Sequence, residues 1–281
     1  MNDFTGNIID LRKRFGEKYE IKPNITIEAT TLDDLYFKTI DECLKHGRIY
    51  KIDSGSFKDE NRIQFKSATL IVKHPTARPL APIPREGIPV TTNDDKIEQY
   101  FWEYLMNGDL KENEHYKYAS WIVGIKDKIT KLRHRNIPRG TKLNQLEWCI
   151  NHFIEEGYGT NHCAITVGCA DGLKRYDWKA KTDADKGSTE CLRQIMLMID
   201  EDKLDLSCFF RSWDLVAGLP ENLGGLARLM EYTAEMINMK ALEKDKDYPM
   251  VHPGTLIAYS PGLHIYEHNL EIAKLWIGLD K

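Results

Sequence analysis

Two apolar runs separated by a short charged stretch are the strongest constraint on how this chain folds. Residues 192–199 and 204–210 have the length and composition of strands, and Asp200-Glu201-Asp202-Lys203 between them is typical of a hairpin turn. Pro220 follows at a position suited to the first turn of a helix. The stretch after it carries an apolar stripe at helical spacing, formed by Leu223, Leu226, Met230, Ala234 and Ile237. The sequence therefore predicts a hairpin within a sheet, followed by a long helix that packs on it.

The rest of the chain mixes helical and strand patterns without a shift in composition that would separate two folding units. Residues 75–89 hold five prolines and are expected to form extended coil. Further helices are predicted at 33–46, 97–106, within 116–133, at 143–154 and around Ile272, Leu275 and Trp276, and further strands at 49–52, 62–73, 163–167 and 254–266. This order favours one α+β domain over residues 1–281, a mixed β-sheet covered by helices on one face, with residues 1–32 as a peripheral extension.

Composition narrows the class of protein. The 281 residues are 42% hydrophobic, which is enough for one large domain with a substantial core. The net charge of −4 gives no basic field that would favour nucleic acid as a partner. No apolar run reaches the length of a membrane span, and the first residues lack the apolar core of a signal peptide. We therefore expect a cytoplasmic protein.

The six cysteines contain no C-x-x-C pair and do not form a disulfide framework. Cys43, Cys149, Cys163 and Cys169 lie in or beside apolar patterns and are interpreted as structural. Cys191 differs, because a charged and polar stretch precedes it and a strand follows. Arg211 ends the next strand, where its guanidinium would stabilise a thiolate. The pattern predicts a nucleophile at a cleft, and a buried structural thiol is the alternative.

A group of polar residues follows Arg211. Arg211 and Ser212 offer a guanidinium and a hydroxyl at one strand end, either as an anion clamp or as part of a surface ion pair. Asn222 lies in the first helical turn, as a capping residue or as a carboxamide that reads the N3–H and O4 edge of uracil. His264 and Tyr266 alternate along a strand and share one face, which suits either backbone contacts or a sugar hydroxyl.

These residues resemble the thymidylate synthase and deoxycytidylate hydroxymethylase superfamily, and most closely its short archaeal-type branch. The resemblance lies in Phe210-Arg211-Ser212-Trp213-Asp214-Leu215, in residues 220–226 (PENLGGL) and in Gly262-Leu263-His264-Ile265-Tyr266. It is strong over residues 191–276. It is weaker over 35–170, where Arg48-Ile49-Tyr50-Lys51-Ile52-Asp53, Thr76-Ala77-Arg78-Pro79-Leu80 and Tyr116-Lys117-Tyr118 carry it.

The resemblance implies a role for each residue. Cys191 would attack C6 of a pyrimidine nucleotide, and C5 would then take a one-carbon unit from 5,10-methylenetetrahydrofolate, with no metal. Arg211 and Ser212 would hold the 5′-phosphate, Asn222 would read the base, and His264 and Tyr266 would bind the 3′-hydroxyl. Asp214 and Trp102 would contact the folate. A glutamate near Trp102, either Glu98 or Glu103 with Glu98 preferred, would transfer protons through water. The resemblance also implies a homodimer with two sheets packed back to back.

The chain departs from the superfamily pattern around the nucleophile and the phosphate. Glu190 replaces the usual proline before Cys191, and a carboxylate there opposes formation of a thiolate. Ser54 stands where a phosphate-binding arginine is usual, with Arg62 as the nearest substitute, and Asn161-His162 replace two arginines lent across the dimer. Each charged hydrogen bond contributes about 1.5–3 kcal/mol. We therefore expect an altered phosphate site, unless Lys174, Arg175 or Arg193 compensates, or an unusual substrate.

Three other interpretations stay open. Longer members of the superfamily close the site with a C-terminal tail, whereas only a short segment follows Tyr266 here. Water would then capture the methylene intermediate and give a hydroxymethyl product. A hydroxymethylase that acts on a cytosine nucleotide is a related alternative. The missing arginines permit a homologue that binds nucleotide or folate without turnover. His264-x-x-Glu267-His268 fits a zinc-peptidase pattern, although that pattern requires a helix and His264 is predicted on a strand.

Overall fold

The computed structural model describes residues 4–14, 21–22, 24–55, 57–111, 114, 116–126, 137–176 and 188–279. Its α-helices are α1 (Phe4–Arg14), α2 (Leu32–His46), α3 (Asp94–Tyr100), α4 (Ala119–Ile122), α5 (Gln145–Glu156), α6 (Leu219–Glu243) and α7 (Leu270–Trp276). A π-helix (Phe101–Leu105) continues α3, and 3₁₀ helices span Ala170–Arg175 and Glu267–Asn269. Among the described residues, every helix is too short or too polar to cross a membrane.

The strands form two mixed sheets. They are β1 (Asn24–Ala29), β2 (Arg48–Lys51), β3 (Asn61–Gln64), β4 (Ser67–Val72), β5 (Ala164–Thr166), β6 (Leu192–Asp200), β7 (Lys203–Phe210), β8 (Trp213–Asp214), β9 (His252–Ser260) and β10 (Leu263–Tyr266). Six of them form a sheet in the order β1-β4-β9-β7-β6-β5, and four form a second sheet in the order β2-β3-β10-β8. The α+β prediction is confirmed. The single sheet was wrong, because the predicted strands at 62–73 and 254–266 each divide between the two sheets.

The predicted hairpin and long helix are both present. β6 and β7 pair antiparallel along their length, and Glu201 adopts a φ of 54° in the tight turn between them. Pro220 lies in the first turn of α6. The stripe of apolar residues on α6 is buried against the inner face of the six-stranded sheet, where Leu206, Cys208 and Phe210 also point. Cys191 immediately precedes β6 and Asn222 lies in α6, so the packing of this helix on the sheet fixes the positions of both residues.

Helix α2 connects the two sheets. Thr31 caps its N-terminus by accepting a hydrogen bond from Asp34 N, and Gly47 ends it, which confirms the helix predicted at 33–46. The helix packs on β1 and β4 of the large sheet and on β3 and β10 of the small one. The N-terminal segment takes part in this layer, because Ile8 of α1 is buried and β1 pairs in parallel with β4.

Candidate active site

The predicted nucleophile and its predicted cation lie side by side. Cys191 immediately precedes β6 and Arg211 immediately follows β7, so the hairpin brings them together. Arg211 N donates to Cys191 O over 2.9 Å, and Arg211 Nη2 lies 3.8 Å from Cys191 Sγ. Cys191 is half-buried, whereas Cys43, Cys149 and Cys163 are buried. The geometry gives Cys191 a neighbouring positive charge and partial access.

Arg211 is held in place by backbone carbonyls. Its Nε donates to Glu190 O over 3.1 Å and its Nη2 to Thr189 O over 2.8 Å. The guanidinium also lies over the Tyr176 ring, 5.5 Å from its centroid. Ser212 follows and is half-buried. The guanidinium is therefore fixed at the strand end before any ligand binds.

The carboxylate of Glu190 is buried and compensated. Its Oε1 accepts hydrogen bonds from Trp121 Nε1 over 2.8 Å and from Arg175 Nη1 over 3.0 Å. The Glu190 and Arg175 side chains are both 0% exposed. A second arginine, Arg193, lies 3.4 Å from Glu190 Oε2. The cluster of one carboxylate and two guanidinium groups carries net positive charge, so Glu190 does not present an uncompensated negative charge to the neighbouring thiol.

Arg193 is not placed by simple strand alternation. The β6–β7 register shifts between Leu192 and Gln194, which makes Arg193 the extra residue of a β-bulge. Its guanidinium turns back to Glu190 and lies against Gly168, where an added Cβ would come within 2.5 Å of Nη1. The bulge therefore directs Arg193 toward Glu190.

A group of four packed tyrosines lies next to the thiol, and Tyr116 contacts it. The Tyr116 hydroxyl lies 4.0 Å from Cys191 Sγ, and Tyr118 accepts a hydrogen bond from Leu192 N over 3.3 Å. Tyr104 packs edge-on against Tyr118 and stacks on Tyr100, with ring centroids 5.1 and 5.2 Å apart. Burial raises the pKa of all four phenols, so they stay protonated at neutral pH. Only Tyr116 and Tyr118 were visible in the sequence, through the resemblance.

Asn222 is held in a fixed orientation by two aromatic side chains. Its Oδ1 accepts from Trp213 Nε1 over 2.9 Å, and its Nδ2 donates to the Tyr100 hydroxyl over 2.8 Å. One Nδ2 hydrogen and one Oδ1 lone pair are left for another partner. Tyr100 immediately precedes the π-helix, an element that is frequent at functional sites. Helical spacing alone did not predict this element.

The two glutamates and the tryptophan predicted on this helix lie on a different face. Glu98 forms an ion pair with Arg228 at 2.6 Å and accepts from Trp102 Nε1 over 2.9 Å. Trp102 is 50% exposed, and Glu103 is exposed and accepts from Gln99. The geometry favours Tyr100 and Tyr104, not Glu98, as the side chains of this helix beside the thiol and the carboxamide.

Asp214 shapes the turn that leads into α6. Its Oδ1 accepts from Val216 N over 2.9 Å and from Ala217 N over 3.1 Å. Burial raises the pKa of Asp214, and these two backbone donors oppose the shift. The described residues give the second carboxylate oxygen no hydrogen-bond partner, so Asp214 combines a structural role with an acceptor that a ligand can use.

One face of the four-stranded sheet is polar. His264 is paired with Gln64 across the β10–β3 ladder and with Asp214 across the β10–β8 ladder, and Tyr266 is paired with Arg62. Paired side chains point to the same face, so these five residues share it. His264 Nδ1 donates to Gly262 O over 2.7 Å. Burial lowers the pKa of His264 to about 4, so the ring is neutral at neutral pH and its Nε2 is an acceptor.

The residues predicted to replace the missing phosphate ligands do not lie together in one site. Arg175 is buried with Glu190, and Lys174 lies on the surface beside Asp171. Ser54 is exposed, and so is Asn161. His162 contacts His152 with their ring nitrogens 3.2 Å apart. Part of the charged and polar stretch that precedes Cys191, residues 177–187, lies outside the described residues. Arg211 is the cation that the described residues place against Cys191.

The zinc-peptidase pattern is not assembled as a site. His264 lies on β10, whereas Glu267 and His268 lie in a 3₁₀ helix. Glu267 Oε2 accepts from Asn61, and His268 Nδ1 is 2.9 Å from Glu60 Oε2. Within the described part of the chain, no group of three or more potential metal ligands is found. The three side chains of the motif therefore have separate partners.

No family model matches the chain. Curated relatives do match it over most of their length. A sequence from Methanosarcina mazei is 23% identical over 250 residues, which is 88% of this chain and 92% of the relative. One from Methanosarcina barkeri is 24% identical over 249 residues, with the same coverage of both chains. A shorter match from Methanopyrus kandleri is 32% identical over 94 residues, 33% of this chain and 39% of the relative. All three are provisionally named thymidylate synthases. The chain is similar over most of its length to these thymidylate-synthase-like relatives.

The similarity to these archaeal relatives confirms the resemblance read from the motifs. The pairing of Cys191 with Arg211 is the feature of this chain with the clearest chemical meaning.

Proposed function

We propose that the protein transfers a one-carbon unit from 5,10-methylenetetrahydrofolate to C5 of a uracil-type nucleotide. The observation that carries the proposal is the position of Cys191 Sγ, with Arg211 Nη2 at 3.8 Å and the Tyr116 hydroxyl at 4.0 Å. Both groups stabilise a thiolate, and both lie where a reacting ring would meet the sulfur.

The covalent step begins at the sulfur. The Cys191 thiolate forms a bond to C6, and the C5–C6 π electrons move to C5 and O4. C5 then forms a bond to the one-carbon unit and loses its proton to water. The bond between that carbon and the folate nitrogen breaks, which leaves an exocyclic methylene at C5. The methylene takes either a hydride from the tetrahydrofolate, which leaves as dihydrofolate, or a hydroxide from water, in which case tetrahydrofolate leaves unoxidised. Elimination breaks the Sγ–C6 bond, restores the ring double bond and returns the thiolate. Arg211 and Tyr116 stabilise the sulfur whenever it carries charge.

Base recognition falls to Asn222. The hydrogen bonds to Trp213 and Tyr100 fix which side of the carboxamide faces the ligand. The free Nδ2 hydrogen donates to O4, and the free Oδ1 lone pair accepts from N3–H of uracil. Cytosine presents an amine and a bare N3 at the same edge, so it matches less well. This pairing is the reason for preferring uracil.

The remaining substrate contacts come from the residues that follow β7 and from the polar face of the four-stranded sheet. Arg211 and Ser212 bind the 5′-phosphate as guanidinium and hydroxyl donors. His264 Nε2 accepts from the 3′-hydroxyl, and Tyr266 and Arg62 complete the sugar contacts on the same face. The phosphate is held by fewer charges than the family pattern has. Monophosphate binding is therefore expected to be weak unless residues 177–187 add cations.

The folate site is built around Asp214. A half-buried carboxylate with one free oxygen fits an N–H donor of a pterin, and burial of that carboxylate strengthens such a bond. When bound, the reduced folate supplies the one-carbon unit. The placement of Trp102 on another helix face gives it no contact with this carboxylate among the described residues. Its predicted role, like the proton-transfer role of Glu98, stays a prediction.

Tritium release from C5-labelled uridine nucleotides tests the function. The wild-type protein should release tritium from UMP or dUMP in the presence of methylenetetrahydrofolate. Cys191→Ser should lower the rate by at least about a thousandfold, because the hydroxyl is a far weaker nucleophile. Cys169→Ser, a matched change at another half-buried thiol, should retain the rate. Equal loss in both variants would contradict the role of Cys191.

Product analysis separates the related reactions. Dihydrofolate among the products identifies methylation, whereas a hydroxymethyl product without dihydrofolate identifies capture of the transferred carbon by water. Labelled dCMP and CMP in the same assay test the cytosine alternative. Nucleotide binding without tritium release from any of them would identify a binding protein and overturn the enzymatic proposal.

A further inference from the structure

Three buried polar atoms on the small sheet have no hydrogen-bond partner among the described residues. They are His264 Nε2, Gln64 Oε1 and Arg62 Nε. His264 is 1% exposed and Gln64 is 8% exposed. An unpaired buried polar group is costly, so a cluster of three on one sheet face indicates that a ligand supplies the partners.

The register places the three atoms on adjacent positions. Gln64 lies directly opposite His264, and Arg62 lies opposite Tyr266, one step along the same face. Burial lowers the pKa of His264 most, and the positive charge of Arg62 lowers it further, which is consistent with their proximity. Arg62 and Tyr266 are half-buried, so this end of the face is reached from solvent.

The hydrogen-bonding character of each atom is determined by its other contacts. His264 Nδ1 carries a proton because Gly262 O can only accept, and the neutral ring therefore leaves Nε2 as an acceptor. Gln64 Nε2 lies 3.5 Å from Pro261 O, which leaves Gln64 Oε1 as a second acceptor. Arg62 Nε is a donor. The missing ligand must bring two donors and one acceptor to neighbouring points.

We propose that Gln64 selects nucleotides whose sugar carries vicinal 2′- and 3′-hydroxyls, that is, ribonucleotides. One hydroxyl donates to His264 and the other to Gln64, and an oxygen of the pair accepts from Arg62. A deoxyribose donates only once and leaves Gln64 Oε1 unpaired. Sites that hydrogen bond a hydroxyl discriminate strongly against the analogue that lacks it. The inference rests on the proposed function, since it concerns the sugar of the same substrate.

The test compares UMP with dUMP, which differ only in the 2′-hydroxyl. Binding is measured by calorimetry, and the covalent adduct with Cys191 by mass spectrometry. The wild-type protein should bind UMP at least about tenfold more tightly than dUMP. Gln64→Leu should lower the affinity for UMP about tenfold and leave that for dUMP within twofold, because it removes the acceptor and keeps the side-chain size. Gln64→Glu retains an acceptor and should keep the preference.

Gln99→Leu, at an exposed glutamine on α3, is the matched control and should leave both affinities unchanged. Equal wild-type affinity for UMP and dUMP would overturn the inference and indicate that a bound water serves these atoms. So would an equal loss for both ligands in Gln64→Leu. In either case an intact adduct would leave the proposed function standing. The absence of binding and adduct with both nucleotides would overturn the inference and the proposed function together.

Discussion

At the scale of single residues, the site depends on how charges beside Cys191 are compensated. The sequence predicted the pairing of Cys191 with Arg211, because a hairpin fixes which residues stand at its open end. It did not predict the partners of Glu190, because Arg175 and Trp121 come from distant segments. Nor did it predict the bulge at Arg193, since the strand pattern continues through it. Long-range partners and single-residue irregularities leave little trace in local periodicity.

Arg211→Gln tests the cation beside the thiol. Loss of the guanidinium removes the positive charge 3.8 Å from Sγ and should slow alkylation of Cys191 by iodoacetamide about tenfold. Arg228→Gln, which removes a guanidinium from the surface pair with Glu98, should leave the alkylation rate unchanged. Mass spectrometry of the Cys191 peptide measures both rates. An unchanged rate in Arg211→Gln would show that the guanidinium does not stabilise the thiolate.

Glu190→Gln tests the buried cluster. The change leaves Arg175 buried without its counter-charge and should lower the free energy of unfolding by about 3–5 kcal/mol. Glu103→Gln, at an exposed carboxylate, should change it by less than about 0.5 kcal/mol. Urea denaturation measures both. Similar small effects in the two variants would mean that the buried pair contributes little.

His264 gives the stability a defined dependence on pH. Its pKa is about 4 in the folded chain against an ordinary value of 6.5, so the unfolded chain binds more protons between these values. Stability is therefore full above pH 6.5 and is lost as the pH falls toward 4. The contribution of His264 should fall by about 2 kcal/mol near pH 5. Urea denaturation of wild type and His264→Asn, each above pH 6.5 and near pH 5, isolates the contribution of His264. An identical pH dependence in the two proteins would refute this prediction.

At the scale of elements, the junction of α3, the π-helix and α6 positions Asn222. An added Cβ at Gly225 would come within 2.6 Å of the Tyr100 ring, and one at Gly224 within 2.7 Å of Ile97. The sequence predicted both helices from their periodicity. It did not reveal that Gly225 of α6 allows Tyr100 to approach closely, because close approach between helices depends on their relative placement. It also merged β3 with β4, since two consecutive apolar strands look alike whichever sheet they join.

Gly225→Ala tests this junction. Alanine favours the helix by about 1 kcal/mol, but the clash with Tyr100 should outweigh that gain and lower stability by about 1–3 kcal/mol. Displacement of Tyr100 should also weaken the orientation of Asn222 and reduce tritium release. Gly159→Ala, where an added Cβ meets nothing within 4 Å, should change neither quantity. Thermal denaturation measures the stability, and the tritium assay measures the activity. Wild-type values of both for Gly225→Ala would exclude the close contact between Gly225 and the Tyr100 ring.

At the scale of the whole molecule, we propose a homodimer through the outer face of the six-stranded sheet. This face exposes Met198 and Tyr259, and the Phe209 and Tyr259 rings stack on it with centroids 5.7 Å apart. An exposed apolar sheet face is typical of an interface. Composition and motifs predicted the α+β class and the family, because these depend on summed patterns. The division into two sheets depends on pairings between distant strands, which those patterns do not specify.

Met198→Glu tests the interface. The wild-type chain should elute at twice its 32.5 kDa mass, and the charge should shift it toward the monomer. Met239→Glu is the matched control, since Met198 and Met239 are both 48% exposed and Met239 lies on α6. Size-exclusion chromatography with light scattering measures the mass. A monomeric wild-type chain, or equal dissociation by both changes, would contradict the sheet-to-sheet dimer.

The short links between the sheets have a consequence for how the protein reaches its working state. β3 passes directly into β4 and β9 into β10, so each connection joins the layer beside the thiol to the layer beneath the sugar contacts. Neither layer completes its hydrogen-bond ladder until distant segments have met, which makes for high contact order and slow, cooperative folding. Catalytic competence should consequently emerge late and all at once during refolding, and fragments cut at either link should regain none of it.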